Sequence, residues 1–181
     1  IPMLQGVLPK MPWFITMNVG YPLLSALFYG GTAALFEEGG RYLVMALFLK
    51  NRQRVSDGIA FGIGHGGIEA ILLAGINALL ILLAGGGTDA GMMFVGGVER
   101  LSAMLLHVAW SVMVLKSVRE KKIGYLLLAF ALHTLIDFVA VLGQYYDVSI
   151  LVVEIVLGVF ALLMLGYTVY EYKKEKNEVT P

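Results

Sequence analysis

Five long apolar stretches separated by short polar connections form the main pattern of this chain. They cover residues 20–49, 58–84, 91–116, 123–143 and 150–172. Each stretch supplies about 20 residues or more, which is the length a helix needs to cross roughly 30 Å of hydrocarbon. The pattern therefore predicts an all-α fold, a polytopic membrane helical bundle with about five transmembrane helices.

Composition supports a membrane protein and excludes several other classes. The chain of 181 residues is 59% hydrophobic and 14% charged, with a mean hydropathy of +0.81. Its zero net charge argues against a nucleic-acid partner. The absence of cysteine excludes disulfides, thiolate zinc sites and a cysteine nucleophile. The length suits one compact bundle without a soluble domain, and leaves the oligomeric state open.

Charge in the connections predicts an orientation in the cell membrane. Basic residues follow the first, third and fifth stretches, whereas the connections 85–89 and 145–147 contain no lysine or arginine. By the positive-inside rule, we expect the basic connections and the C-terminus to be cytoplasmic and the start of the chain to be extracytoplasmic. The predicted regions are an extracytoplasmic or interfacial segment at 1–19, the bundle at 20–172 and a polar cytoplasmic tail at 173–181. Because the chain starts at Ile1, we expect a trimmed or processed product. Whether further helices precede it is left open.

Polar residues inside the apolar stretches are the candidate functional groups. Each histidine is followed four positions later by a polar residue, in the pairs His65–Glu69, His107–Ser111 and His133–Asp137. Glu37, Glu38 and Arg41 interrupt the first stretch. An ionisable group at the centre of a membrane helix costs roughly 2.5–3.5 kcal/mol on insertion scales, so we expect these groups to face one another and not lipid.

Depth and helix periodicity predict that these groups meet. Counted from the predicted cytoplasmic helix ends, Arg41, Glu37 and the histidines lie roughly 12–20 Å deep. Residues four apart share a helix face, which applies to Glu37 with Arg41 and to each histidine with its polar follower. Surrounding glycines allow close helix packing or leave room for a substrate. We predict one pocket shared by four helices.

Each element also has a structural interpretation. Glu37 and Arg41 suit a simple ion pair, and His65 suits a hydrogen-bonded core histidine. A serine side chain often hydrogen-bonds to its own helix backbone, so the pairing of Ser111 with His107 is the weakest of the three pairs. Glu99 and Arg100 favour a structural or gating role.

Two kinds of hydrolytic chemistry suit the predicted pocket. His65, His107 and His133, with Glu69 as a ligand or an orienting partner, are candidates to hold a divalent metal such as zinc. Without a metal, a glutamate takes a proton from water while histidines or Arg41 stabilise an oxyanion. The zinc-protease signature H-E-x-x-H is absent from the sequence.

The spacing of these residues resembles that of a known group of proteins. Glu37-Glu38-x-x-Arg41, Phe61-x-x-x-His65 and His133-x-x-x-Asp137 resemble the three motifs of the CAAX-protease-like (PrsW-like) intramembrane endopeptidases. Residues 64–69 and the additional His107 are most similar to the YhfC family of predicted membrane peptidases. The glutamates and arginine of the CAAX group proper are usually spaced one residue wider, and asparagine often stands where Asp137 does, so its prenylated substrate does not carry over.

The resemblance implies an enzyme that cleaves peptides or membrane proteins within the lipid bilayer. It assigns Glu37 as the general base and Glu38 as its partner or substitute. His65 and His133 become groups that bind water, an oxyanion or a metal, and Asp137 orients His133.

Two other functions remain open from the sequence. Buried Glu, Asp and His residues also form proton and solute paths, so a small membrane transporter or substrate-binding subunit is the main alternative. A scaffold that keeps the polar groups for helix packing is the third. A hydrolase requires a water-accessible cavity that joins Glu37, His65 and His133, whereas a scaffold requires dry, fully paired groups.

Overall fold

A computed structural model of the chain describes residues 8–87 and 89–179. Within these ranges a 3-10 turn at Leu8–Lys10 precedes six helices, and no strand is present. The all-α prediction is confirmed. The helices are α1 (Pro12–Gly20), α2 (Pro22–Phe48), α3 (Val55–Leu83), α4 (Ala90–Glu120), α5 (Gly124–Tyr145) and α6 (Ile150–Val179).

Four to five helical segments are suited to crossing a membrane. Helices α3, α4, α5 and α6 are each long and apolar enough to span a bilayer. Helices α1 and α2 meet the same criterion together, but their axes bend by 116° at the break between Gly20 and Pro22. Proline lacks a backbone N–H and is suited to the first turn of a helix, so Pro22 begins a new helix. The chain is therefore a polytopic helical membrane protein with four candidate spans, or five if the bent pair counts as one span.

The observed ends of the helices differ from prediction mainly at the two termini. Residues 12–20 form a helix within the segment predicted as a loop or interfacial region. Helix α6 continues past Tyr172 to Val179. Glu175 on this extension accepts a hydrogen bond from the Val55 backbone N–H at 2.8 Å and pairs with Arg119 at 2.6 Å. Contacts with other helices thus extend α6 into the segment predicted as a polar tail.

Helix α4 is the central helix of the bundle. In its most apolar stretch of 18 residues, 72% of the residues are buried, against 6% in the corresponding stretches of α3 and α6. It packs against α2, α3, α5 and α6. Met45, Leu106, Trp110, Met113 and Val114 are among the buried core residues around it. A residue on the middle of α4 is therefore placed to contact groups from several helices at once.

Glycine allows α3 to lie directly against α4. A Cβ atom at Gly62 would lie 2.4 Å from the Val108 Cα and 2.8 Å from the His107 carbonyl oxygen. Both are backbone atoms, so a side chain here would force the helices apart. This close approach brings the polar face of α3 to the level of His107.

Candidate active site

All eight site residues predicted from the sequence lie in one continuous group. Helix α2 contributes three of them, α3 and α5 two each, and α4 one. We call this group the central cluster: Glu37, Glu38, Arg41, His65, Glu69, His107, His133 and Asp137. Four helices separated in the chain therefore bring their titratable side chains to one place.

Glycines set the helix spacing at the cluster. A Cβ atom at Gly66 would lie 3.2 Å from the His107 ring carbon Cδ2. On the opposite side, a Cβ atom at Gly30 would lie 2.8 Å from the Thr134 carbonyl oxygen and 3.0 Å from the Asp137 Cβ. Small residues at these positions allow α3 to approach α4 and α2 to approach α5.

The innermost part of the cluster is the Glu38–Arg41 ion pair. Both side chains are almost fully buried, and Arg41 Nη1 lies 2.5 Å from each Glu38 carboxylate oxygen. Arg41 Nη2 is 3.0 Å from His107 Nδ1. The structural interpretation left open from the sequence was an ion pair of Arg41 with Glu37, but the partner on the same helix is Glu38. Spacing of three residues selects Glu38, which leaves Glu37 free to face the histidines.

His133 is oriented by Glu38. Its Nδ1 lies 2.8 Å from Glu38 Oε1, and because an ionised carboxylate only accepts hydrogen bonds, Nδ1 is the donor. The other ring nitrogen, Nε2, faces Glu37 Oε2 at 4.0 Å and Asp137 Oδ2 at 3.5 Å. Asp137 is thus adjacent to His133, but the closer orienting contact comes from another helix.

His107 has a partner at each ring nitrogen. Its Nε2 lies 2.8 Å from Glu69 Oε2, so Nε2 donates and Nδ1 is left to accept from Arg41. Glu69 therefore pairs across helices with His107, and not with His65 on its own helix face. Ser111 does not orient His107, because its buried Oγ has no hydrogen-bond partner within the described part of the chain.

Glu37 lies at the centre of the three imidazoles. Its Oε2 is 3.5 Å from His65 Nε2, 3.8 Å from His107 Nδ1 and 4.0 Å from His133 Nε2. This oxygen is buried and accepts no hydrogen bond from any residue that the structure describes. A buried polar atom without a partner is rare and calls for an explanation, such as the binding of an ion or water.

The donor atoms around Glu37 fit a divalent metal. Glu37, His65, Glu69 and His107 offer ligand atoms that all lie within 4.8 Å of one another. Zinc–nitrogen bonds of about 2.0–2.1 Å place tetrahedral ligands about 3.4 Å apart, close to the spacings around Glu37 Oε2. The 2.8 Å contact between Glu69 and His107 is instead a hydrogen-bond distance. Glu69 therefore suits the role of an outer partner that orients a ligand.

A cavity of about 170 Å³ opens beside the cluster. Its walls include Glu37, His107, His133 and Asp137, together with residues that had no role in the predicted site. Among these, Arg100 pairs with Glu69 at 3.5 Å and with Glu99. Arg100 lies seven residues before His107, and two helical turns place both on one face of α4, so the sequence held a signal for it.

Comparison with known proteins identifies the family. A family model described as YhfC intramembrane metalloprotease matches residues 3–91 and 87–157. This chain belongs to the YhfC family. The match includes every residue of the central cluster. This chain is also 31% identical over 178 residues to the uncharacterized membrane protein YhfC of Bacillus subtilis (strain 168). The alignment covers 82% of this chain and 69% of that relative. No solved structure matches the chain.

Proposed function

We propose that this YhfC-family member is an intramembrane metalloprotease that hydrolyses peptide bonds of membrane-embedded polypeptides. The observation that carries the proposal is the position of Glu37 Oε2, which faces three histidine nitrogens at 3.5–4.0 Å without a hydrogen-bond partner among the described residues. The adjoining cavity offers room for a peptide segment and water. The name of the family supports the same chemistry.

In this proposal His65 Nε2, His107 Nδ1 and His133 Nε2 hold the ion. Three protein ligands with a fourth position kept for water are typical of catalytic zinc sites. Glu37 Oε2 stands 3.5–4.0 Å from the three nitrogens, where a fourth ligand would lie, so its use as a base requires it to make room for that water. When bound, a divalent ion supplies Lewis-acid polarisation of a carbonyl and lowers the pKa of water. His107 Nδ1 accepts a hydrogen bond from Arg41 in this structure, so use of this nitrogen as a ligand requires that bond to be released.

Glu37 is the proposed general base. Its Oε2 takes a proton from water as the water oxygen bonds to the peptide carbonyl carbon. When the carbon–nitrogen bond breaks, the same oxygen returns the proton to the leaving amine. One carboxylate thus serves both proton transfers, and the products are a new carboxyl terminus and a new amino terminus.

The remaining cluster residues orient these groups. Glu38 accepts from His133 Nδ1 and Glu69 accepts from His107 Nε2, so each ring presents its other nitrogen toward Glu37. Arg41 compensates the charge of Glu38, which is otherwise costly at 1% exposure. Asp137 and Arg100 line the cavity and are placed to contact the substrate backbone.

The orientation in the membrane is part of the proposal. The basic ends of α2, α4 and α6 would face the cytoplasm, with 1–19 outside and 173–181 inside. The catalytic groups would then lie in the cytoplasmic half or near the midplane of the bilayer.

The experiment compares new amino termini in membranes that contain the unsubstituted protein or Glu37→Gln. Total host membrane proteins serve as the substrate probe, and mass spectrometry identifies the termini. Glu120→Gln is the matched control, since Glu120 is a partly buried carboxylate at the end of α4, outside the central cluster, and pairs with Lys122. We expect termini that need Glu37 and persist in Glu120→Gln. Identical termini in all samples would contradict the proposal and favour the carrier alternative.

A further inference from the structure

Trp110 is the aromatic residue most closely associated with the central cluster. It is 2% exposed and follows His107 by three positions on α4. Its indole ring lies parallel to the His133 ring, with centroids 4.2 Å apart and planes 5° from parallel. It also meets the His107 ring edge-on at 5.6 Å. One side chain of the central helix therefore contacts imidazoles from two helices.

Glu38 alone does not define the position of His133. Its hydrogen bond at Nδ1 determines which nitrogen faces Glu37. A single bond still leaves the imidazole free to tilt about the line that joins the two groups. The flat indole face removes this freedom, because parallel stacking holds the plane of the ring. Glu38 and Trp110, together with Asp137 at 3.5 Å from Nε2, thus define the direction of Nε2.

The indole nitrogen has no part in this arrangement. Trp110 Nε1 is buried and has no hydrogen-bond partner within residues 8–87 and 89–179. A buried indole N–H usually finds a partner, so hydrogen bonding does not account for Trp110 at this position. What the site uses is the aromatic face, whose electron-rich surface favours an electron-poor imidazole such as one bound to a cation.

We propose that Trp110 is a positioning residue that holds the His133 ring plane so that Nε2 faces Glu37. The inference rests on the proposed function, since its consequence is tight ion binding by the histidines. The competing interpretation is that Trp110 only fills the core, where it packs with Leu106, Met113 and Val114. The two interpretations make different predictions for an aliphatic residue of similar bulk at this position. Ion binding weakens if Trp110 positions His133, whereas only stability falls if Trp110 fills the core.

The test measures Co²⁺ affinity of the purified full chain by competition with a chelator, alongside thermal unfolding. Trp110→Phe keeps an aromatic face, and Trp110→Leu removes it. If Trp110→Leu does not fold, Trp110→Met fills the space with a flexible apolar chain. Trp13→Phe is the matched control, because Trp13 is half exposed and packs against Phe14 and Phe28.

We expect Trp110→Leu or Trp110→Met to weaken Co²⁺ binding about 10- to 100-fold, as loss of a group that orients a ligand does. Trp110→Phe should bind Co²⁺ with an affinity close to that of the unsubstituted protein and should keep the same Co²⁺ absorption spectrum. Equal affinity in the aromatic and aliphatic variants, with only the unfolding temperature lowered, would overturn the positioning role. If the unsubstituted protein binds no Co²⁺, the proposed function fails as well, so the two failures are distinguishable.

Discussion

Two groups of buried charges in this protein are built in different ways. The central cluster has been described above. The second group, which we call the end cluster, consists of Lys116 and Arg119 on α4 with Glu171 and Glu175 on α6. Its ion pairs measure 2.5 Å for Lys116–Glu171 and 2.6 Å for Arg119–Glu175. The adjoining space is about 10 Å³, against about 170 Å³ beside the central cluster.

The end cluster is satisfied, and the central cluster is not. Each carboxylate of the end cluster pairs with one cation, and Glu175 also accepts from the Val55 N–H. In the central cluster Glu37 Oε2 faces three imidazoles without accepting a hydrogen bond from the described residues. Charges that are fully paired stabilise the fold, whereas an unsatisfied carboxylate beside a cavity is a candidate for chemistry. The difference predicts opposite effects of substitution at the two places.

Glu37→Gln should have the largest effect, and it should fall on activity. The amide keeps the size of the side chain but does not accept a proton from water. We expect cleavage to decrease on the order of 10²- to 10⁴-fold, as loss of a general base does, with little change in thermal stability. The measurement combines the abundance of new amino termini with the unfolding temperature. Cleavage by Glu37→Gln at the level of the unsubstituted protein would contradict a catalytic role for the central cluster.

Glu171→Gln should produce the opposite result. It leaves the buried Lys116 ammonium without its carboxylate partner, and breaking a buried pair costs about 3–5 kcal/mol. We expect a clear decrease in the free energy of unfolding, while the folded fraction still cleaves. Glu178→Gln, on the exposed part of α6, is the control for the loss of one negative charge. A stable but inactive Glu171→Gln would show that the end cluster also serves the reaction.

Glu69→Gln tests whether Glu69 orients His107 or binds the ion directly. The substitution weakens the contact that orients His107, so Co²⁺ affinity should fall about 10- to 100-fold while one ion per chain still binds. Glu175→Gln is the end-cluster counterpart and should leave Co²⁺ affinity unchanged. Complete loss of the ion in Glu69→Gln would instead make Glu69 a direct ligand.

Gly62→Ala should have a smaller effect that reaches the central cluster through packing. A methyl group here meets the Val108 backbone, and overpacking of this kind costs typically about 1–3 kcal/mol. Helix α3 should shift and displace His65 from Glu37, with weaker Co²⁺ binding. Gly64→Ala is the matched control, because no atom lies within 4 Å of its Cβ position. Equal behaviour of the two variants would contradict the role given to close packing.

The sequence predicted the helices and the meeting of the site residues better than their pairing. The cost of ionisable groups in lipid requires them to face inward, which brought Glu37, His65 and His133 together correctly. Pairing within one helix was the weaker guide. Arg41 pairs with Glu38 at a spacing of three on the same helix and not with Glu37 at a spacing of four. Glu69 pairs with His107 on the neighbouring helix and not with His65, because the rotation of neighbouring helices decides contacts that spacing leaves open.

Two other features depend on partners that are distant in the chain. Trp110 in an apolar helix has the pattern of an ordinary core residue, and only the packing of α4 against α5 places it on His133. The extension of α6 to Val179 depends on Arg119 and on the Val55 N–H, which belong to other helices. A polar C-terminal segment gives no sign of such contacts.

The content of zinc or another divalent metal per purified chain tests the central claim most directly. Elemental analysis of the unsubstituted protein and of His65→Gln, after dialysis against buffer with trace metal, is sufficient. The account predicts about one ion per chain in the first and a large loss in the second. Equal metal content in both, or none in the unsubstituted protein, would contradict it.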